Sequence, residues 1–312
     1  MYVKSLGSMR KKTVLTIGMG AVGSLYTSWI SSELTECHCI TRSETDLIQK
    51  KAITIRNPDG TQTKFNPDFV YNSIQELNIK PDFIIIATKV LPSINLIPEL
   101  KKVVGDKTVI VLIQNGINIE EPYNIAFPNT EIISGLAFVC VSKLAPASIH
   151  HQDYGRLIIG KYPQGNSANV DLLVRLFNQH QLCAKSSSFI IQDRYKKLLW
   201  NASFNPLSVI HGGLNTKELL DIPNMKDTVK NIMKEVWQVA SSNGCNLSLD
   251  DIKKNISDTY KMTPYKTSMC LDWEKNKPLE KEAILGNLIP IAANANIEIP
   301  YIKKLYQQLN NM

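Results

Sequence analysis

The chain has no apolar run approaching the roughly 18–20 residues that a bilayer-spanning helix needs, and no membrane partner is expected. Met1 to Lys12 lack the apolar core of a signal peptide. They are expected to form a short extension before the first strand, with Met9 an alternative start, and a cytoplasmic location follows. The cysteines (Cys37, Cys39, Cys140, Cys183, Cys245, Cys270) are scattered, with no C-x-x-C among them. Cys37 and Cys39 stand two apart in an expected strand and so share a face. No histidine or cysteine cluster completes a metal site around them, so buried reduced thiols and no metal are expected. His150-His151 is equally isolated and reads as a loop or strand-edge pair. Net charge is +7, yet the lysines come as separated doublets such as Lys11-Lys12, Lys101-Lys102 and Lys253-Lys254. Without a dense basic arm and interleaved aromatics, no nucleic-acid partner is expected, while a mildly positive field suits an anionic small molecule. Internal repeats and low-complexity linkers are missing as well.

What remains is an ordinary globular composition, 44% hydrophobic and 20% charged, over 312 residues, a length comfortable for two domains. The organising stretch is Val14 to Ser24. A β-branched run, Thr13 to Ile17, leads into Gly18, Met19, Gly20, Ala21, Val22 and Gly23, and an apolar helical pattern continues through Leu25, Trp29 and Ile30. Strand, glycine turn and helix are the context in which G-x-G-x-x-G carries meaning. Gly18 allows the tight turn, Gly20 lets backbone approach a pyrophosphate, and Gly23 lets helix pack on strand, with free N–H groups of the helix aimed at the phosphates. Glycine-rich turns also join strands to helices without a ligand; the placement here favours a dinucleotide site.

Further along, Glu36 to Thr41 reads as a second strand. Ala52 to Arg56 and Phe69 to Tyr71 are extended pieces around the turn Asn57 to Gly60. Phe83 to Thr88 and Thr108 to Ile113 are continuous apolar runs of the kind buried on both sheet faces, with a helix expected over Ser93 to Val103. Ile132 to Val141 and Gly155 to Gly160 add later, antiparallel strands; Asp171 to Gln179 reads as a helix and Cys183 to Ser187 as a last edge strand. From near Ile190 the patterns are almost all helical: 191–210, 216–220, 224–243, 248–258, 264–274, 279–294 and 301–311. The expectation is an α/β protein: a Rossmann-type doubly wound sheet over 1–187, with 1–12 an extension, then an all-helical domain over 188–312.

Ligands of open parallel sheets bind outside the carboxyl ends of the strands. The strands here end, in turn, at the glycine loop, at Arg42, at Lys89 and at Asn115. Together these make a rim for an anion, although each alone is what a solvated strand end shows. Arg42 stands where NAD enzymes place an acidic residue for the ribose hydroxyl, and an arginine there suits a 2′-phosphate, so NADP(H) is the expected cofactor. The alternative is that Arg42 is merely exposed.

Lys197, Asn201 and Asn205 fall at i, i+4 and i+8, one polar stripe on a helix whose other faces carry Leu198, Leu199, Trp200, Ala202, Phe204 and Leu207. Burying two amides and an amine without partners costs several kcal/mol, so the stripe either faces a polar ligand or is hydrogen-bonded between helices with Lys197 reaching solvent. Residue types alone leave both readings open.

The glycine loop, Arg42, Lys89, Asn115-Gly116, the Lys197-x-x-x-Asn201-x-x-x-Asn205-Pro206 helix, the segment His150 to Gly160, Asn215, Ser268-Met269 with Asp272, and Glu280 together resemble the ketopantoate reductase (2-dehydropantoate 2-reductase) family, from about Thr13 to the end. The resemblance implies a Rossmann domain followed by a helical domain. It implies an NADPH-dependent reduction of the ketone of ketopantoate to pantoate in pantothenate synthesis, with Lys197 as general acid and Glu280 supporting catalysis. Glu282, two residues on, competes for that second role. Asn201, Asn205 and Ser268, with Asn215 less securely, would bind substrate. Asn115 would serve both nicotinamide ribose and substrate, Lys89 would stand near the reacting groups, and Arg42 would hold the 2′-phosphate. Two other readings stay open: a relative reducing another 2-keto or imino acid, and a non-catalytic NADP(H)-binding regulator. Oligomeric state is open, a homodimer being one option.

Overall fold

The computed structural model describes residues 10–180 and 183–312; most of the expected extension, and Met9 with it, lies outside the described residues. The chain divides into two compact units, the first comprising 1–89, 95–114 and 120–190, the second 90–94, 115–119 and 191–312. The segments 90–94 and 115–119, which the sequence pattern assigns to the N-terminal domain, thus group with the helices.

In chain order the first unit holds β1 (Lys12–Ile17), α1 (Ala21–Ile30), β2 (Thr35–Ile40), α2 (Thr45–Lys51), β3 (Ile53–Arg56), β4 (Gln62–Phe65), β5 (Phe69–Tyr71), β6 (Phe83–Ile86), α3 (Ile97–Leu100), β7 (Val109–Ile113), α4 (Glu121–Ala126), β8 (Glu131–Ala145), β9 (Ser148–Lys161), α5 (Ala168–Phe177) and β10 (Ala184–Ser186). The sheet runs β4-β3-β9-β8-β7-β6-β1-β2-β5, with β10 beside β9. From β5 to β8 every pairing is parallel. That stretch has the doubly wound order, which reverses between β1 and β6. The runs Phe83–Ile86 and Val109–Ile113 are buried throughout, as central parallel strands require.

β8 and β9 form the long antiparallel hairpin. His150 and His151 lie inside β9, where His150 is flanked by Arg56 of β3 and Ser142 of β8; they are interior strand residues, not an edge or loop pair. Cys37 and Cys39 are fully buried in the core of the first unit. Lys12 already belongs to β1, and Arg10 donates from Nη2 to both oxygens of Asp82 at 2.8 and 2.9 Å, so the end of the expected extension is tied to the sheet.

The helix expected over Ser93 to Val103 shrinks to α3. Pro98 lacks an N–H and its ring excludes a helical carbonyl four residues earlier, so it is accepted only in a first turn, and there it sits. β4, absent from the sequence expectations, pairs with β3 across the Asn57 to Gly60 turn; Gln62 to Lys64 are exposed, which removes the apolar alternation that would have marked it.

The second unit contains α6 (Ile190–Ile210, whose first residue belongs to the other unit), α7 (Thr216–Leu220), α8 (Met225–Ser242), α9 (Leu249–Lys261), α10 (Ser268–Glu274), a π-helical turn (Glu282–Gly286), α11 (Leu288–Asn294) and α12 (Pro300–Asn310). Its core gathers Leu198, Leu199 and Phe204 of α6 with Val229, Met233 and Val236 of α8 and Leu285, Leu288 and Ile302 further on. The helix expected over 264–274 starts only at Ser268, capped by the Thr267 hydroxyl accepting from Cys270 N. The helix expected over 279–294 is broken: Pro290 cannot donate to a carbonyl four residues back, and just before it Asn287 N bonds the Glu282 carbonyl at 2.8 Å, a five-residue step. Among the described residues no helix is long and apolar enough to cross a membrane.

Candidate active site

In the first unit β1 ends in a turn at Gly18, whose φ of +99° favours glycine. A Cβ at Gly18 would lie 2.7 Å from the Thr88 nitrogen beyond β6, and one at Gly23 would lie 2.0 Å from the Gly18 carbonyl oxygen. Packing therefore demands both glycines. Gly20 is different. It precedes α1 with φ −75° and ψ −163°, open to any residue, and a Cβ there would meet nothing within 4 Å. Nothing among the described residues explains a glycine at this point, whereas a phosphate brought against the helix N-terminus does. The ten-residue α1 suits that role: no side chain caps its start and no acidic residue stands in its first turn.

Arg42 follows β2 by two residues and is exposed; Lys89 follows β6 by three and is half-buried. With β1, β2 and β6 parallel, both lie at the same sheet end as the glycine loop. A brace that the sequence did not disclose joins this rim. Glu44 receives Lys143 Nζ, and the Ala147 N–H at 2.9 Å, from the β8–β9 hairpin, while Lys143 also donates to the Met19 carbonyl at 3.4 Å. A contact across 99 residues of sequence leaves no periodic trace.

The second unit assembles its own polar centre on α6. Lys197 donates to Asn115 Oδ1 at 2.8 Å. Burial of its ammonium, reinforced by the like charge of Arg194 and opposed by Glu280, pulls its pKa down to about 7, although the residue as a whole keeps partial exposure. Glu280 is 6% exposed and accepts the Val90 N–H at 2.9 Å. Glu282 turns elsewhere, accepting from the Tyr306 hydroxyl at 2.6 Å. The carboxylate acting on Lys197 is thus Glu280.

Asn201 and Asn205 are 7% and 1% exposed, and Asn205 Oδ1 has no hydrogen-bond partner among the described residues. A buried amide oxygen left so is costly unless a ligand donor completes it. This favours the ligand-facing reading of the stripe over interhelical bonding. Ser268 opens α10 and is half-buried. Asn215 has a structural duty: its Oδ1 accepts from Lys217 N and Glu218 N at 2.9 and 3.0 Å while Glu218 returns a bond to its backbone, a capping box starting α7. Only its amide N–H groups remain for any further role.

Sequence reasoning missed how 115–119 is held. Arg194, 2% exposed, donates from Nη1 to the Gly116 carbonyl at 2.9 Å, Asn287 Nδ2 donates to the Ile117 carbonyl at 2.8 Å, and Ile117 N donates to the Ala283 carbonyl at 2.9 Å. Gly116 has φ +109°, and a Cβ there would lie 2.5 Å from the Ala283 Cβ. Arg194 stands three residues before Lys197, one turn along the same face; that spacing was the available signal. Among the described residues no cluster of His, Cys, Asp and Glu could hold a metal ion.

A parallel sheet in doubly wound order with a glycine loop at its reversal point, followed by helices carrying an acidified lysine, defines a Rossmann-type oxidoreductase. The family model described as ketopantoate reductase PanE/ApbA matches residues 14–164, and that for the PanE/ApbA C terminal matches 190–312. A 2-dehydropantoate 2-reductase of Nostoc sp. is 30% identical over 307 residues, covering 96% of this chain and 95% of its own. The crystal structure of 2-dehydropantoate 2-reductase from Methylococcus capsulatus is 39% identical with TM-score 0.89, covering 96% of both chains. A ternary structure of D-mandelate dehydrogenase with NADH and anilino(oxo)acetate, 20% identical, shares the fold at TM-score 0.86 over 96% of this chain and 97% of its own. The chain belongs to the ketopantoate reductase family.

Proposed function

We propose that this protein reduces the ketone of 2-dehydropantoate to pantoate with NADPH, as a cytoplasmic step of pantothenate synthesis. The observation that carries the reading is Lys197: a lysine drawn down to about pH 7, hydrogen-bonded to Asn115 and balanced by Glu280. Gly20 and the bare α1 N-terminus suit the cofactor's pyrophosphate, Arg42 its 2′-phosphate, and Lys89 and Asn115 the remainder of the nucleotide. A bound reduced nicotinamide supplies a hydride to the ketone carbon. Lys197 Nζ then gives its proton to the ketone oxygen, on which negative charge grows, and the resulting neutral amine takes a proton back from solvent. Asn201, Asn205 and Ser268 offer donors and acceptors that hold the carboxylate and hydroxyl of a small acid without adding charge.

The test is NADPH oxidation, followed optically, with ketopantoate and purified protein, and NADH as control. Saturable oxidation with NADPH and little with NADH is the expected result. Reduction should slow as pH rises through about 7, because Lys197 must enter protonated; oxidation of pantoate should show the opposite slope. Faster turnover of a different 2-keto acid in a side-by-side kcat/KM comparison would reassign the substrate. Tight NADPH binding without oxidation by any keto acid would point to a regulator.

A further inference from the structure

Two cations of α6 grip consecutive residues of one short segment. Lys197 takes the Asn115 side chain at 2.8 Å, and Arg194 takes the Gly116 carbonyl at 2.9 Å. Arg194 is 2% exposed, so its guanidinium is held in one place by the groups packed around it, the Gly116 carbonyl among them. The segment is already held without Arg194, by Asn287 on the Ile117 carbonyl and by the Ile117 bond to Ala283. What Arg194 adds is the orientation of the peptide adjoining Asn115. We propose that Arg194 is a positioning residue for Lys197, fixing the Asn115–Gly116 turn to which the ammonium donates its hydrogen bond. The inference rests on Lys197 being the proton donor of the reaction proposed above.

Charge supports the same assignment. Among the charged groups that act on Lys197 are Arg194 on its own helix and Glu280 from the segment before the π-helical turn, and Asn115 meets it with a neutral amide. Arg194 opposes protonation and Glu280 favours it. A guanidinium keeps its charge at every working pH, so its influence is constant, unlike that of a second lysine or a histidine in so dry a place.

The experiment compares wild type with Arg194→Gln and Arg194→Lys. The first readout is the titration of Lys197 in the ligand-free protein, followed by NMR of 13Cε-labelled lysine and assigned with Lys197→Ala; it does not depend on turnover. Arg194→Gln should move the midpoint upward by roughly one pH unit, and Arg194→Lys should leave it close to wild type. The second readout is kinetic: kcat should fall about tenfold in Arg194→Gln and partly recover in Arg194→Lys, which keeps the charge but not the planar fork. A midpoint that stays put in folded Arg194→Gln, or wild-type kcat in Arg194→Lys, overturns the proposal. Should Arg194→Gln not fold, Arg194→Lys decides alone by its kcat against an unmoved midpoint. A wild-type protein that turns over no keto acid while the titration still moves would fail the proposed reaction and leave the electrostatic link standing.

Discussion

The two units build polar sites by opposite means. In the first, the chemistry is carried by backbone: a glycine turn, bare N–H groups at the start of α1, and charged side chains displayed at the ends of parallel strands. In the second it is carried by side chains: Lys197, Asn201 and Asn205 on α6, and Glu280 from the segment before the π-helical turn. Backbone donors cost nothing extra to leave open at a helix start, so the first unit can wait for its ligand without penalty. Buried side chains wait at a cost, visible in the unmatched Asn205 oxygen and the displaced Lys197 pKa. On the proposed function, the second unit gives up stability for its site and the first does not.

That contrast can be broken in four places. Lys197→Ala should lower kcat by about 10²–10⁴-fold, the span of general acid catalysis, with NADPH affinity nearly unchanged; steady-state kinetics beside fluorescence titration of NADPH measure both, and equal losses in each would merge the two sites that the contrast separates. Arg42→Ala should reduce the preference for NADPH over NADH by roughly 10–100-fold, the worth of a charge-assisted bond, read from kcat/KM with each nucleotide. Gly20→Val should weaken NADPH binding about tenfold or more while leaving the melting temperature in place, because none of the described residues occupies that space; Gly23→Ala should instead destabilise the fold, given the 2.0 Å approach of its Cβ to the Gly18 carbonyl.

The smallest effect is on stability. Lys197 has an ordinary value of 10.5 and a folded value of about 7, so between those pH values the unfolded chain binds the extra proton. The penalty is full below pH 7 and is relieved as pH rises toward 10.5. Lys197→Met should therefore melt above wild type at pH 6, and the gap should narrow across that window. A variant that melts lower at pH 6 would show that the Asn115 hydrogen bond outweighs the buried charge.

Much of this was legible beforehand, for particular reasons. β6 and β7 announced themselves as unbroken apolar runs, because central parallel strands are buried on both faces, and the glycine loop because the packing demands at Gly18 and Gly23 and the open helix start at Gly20 fall at fixed spacing. The α6 stripe was legible as a stripe, but whether it faced a ligand was not; only the missing partner at Asn205 favours one reading. β4 escaped because exposed strands have no apolar signature, and the shortening of α3 because its apolar pattern extends past the start that Pro98 imposes.

Local order thus came from sequence alone: element types, the parallel sheet, the helical second half, and the residues able to carry charge or accept protons. Which of them meet was settled by tertiary structure. Glu235 looks like any acid on α8, yet its oxygens accept from Tyr301 N and Ile302 N at 2.9 Å and start α12. Glu280 and Glu282 are alike in type and two residues apart, but one acts on Lys197 while the other bonds Tyr306. Propensity and periodicity reach only a few residues along the chain. Burial, charge proximity and hydrogen-bond partnership are set by whatever the folded chain brings alongside, and they draw the pKa of a lysine on a helix down to about 7.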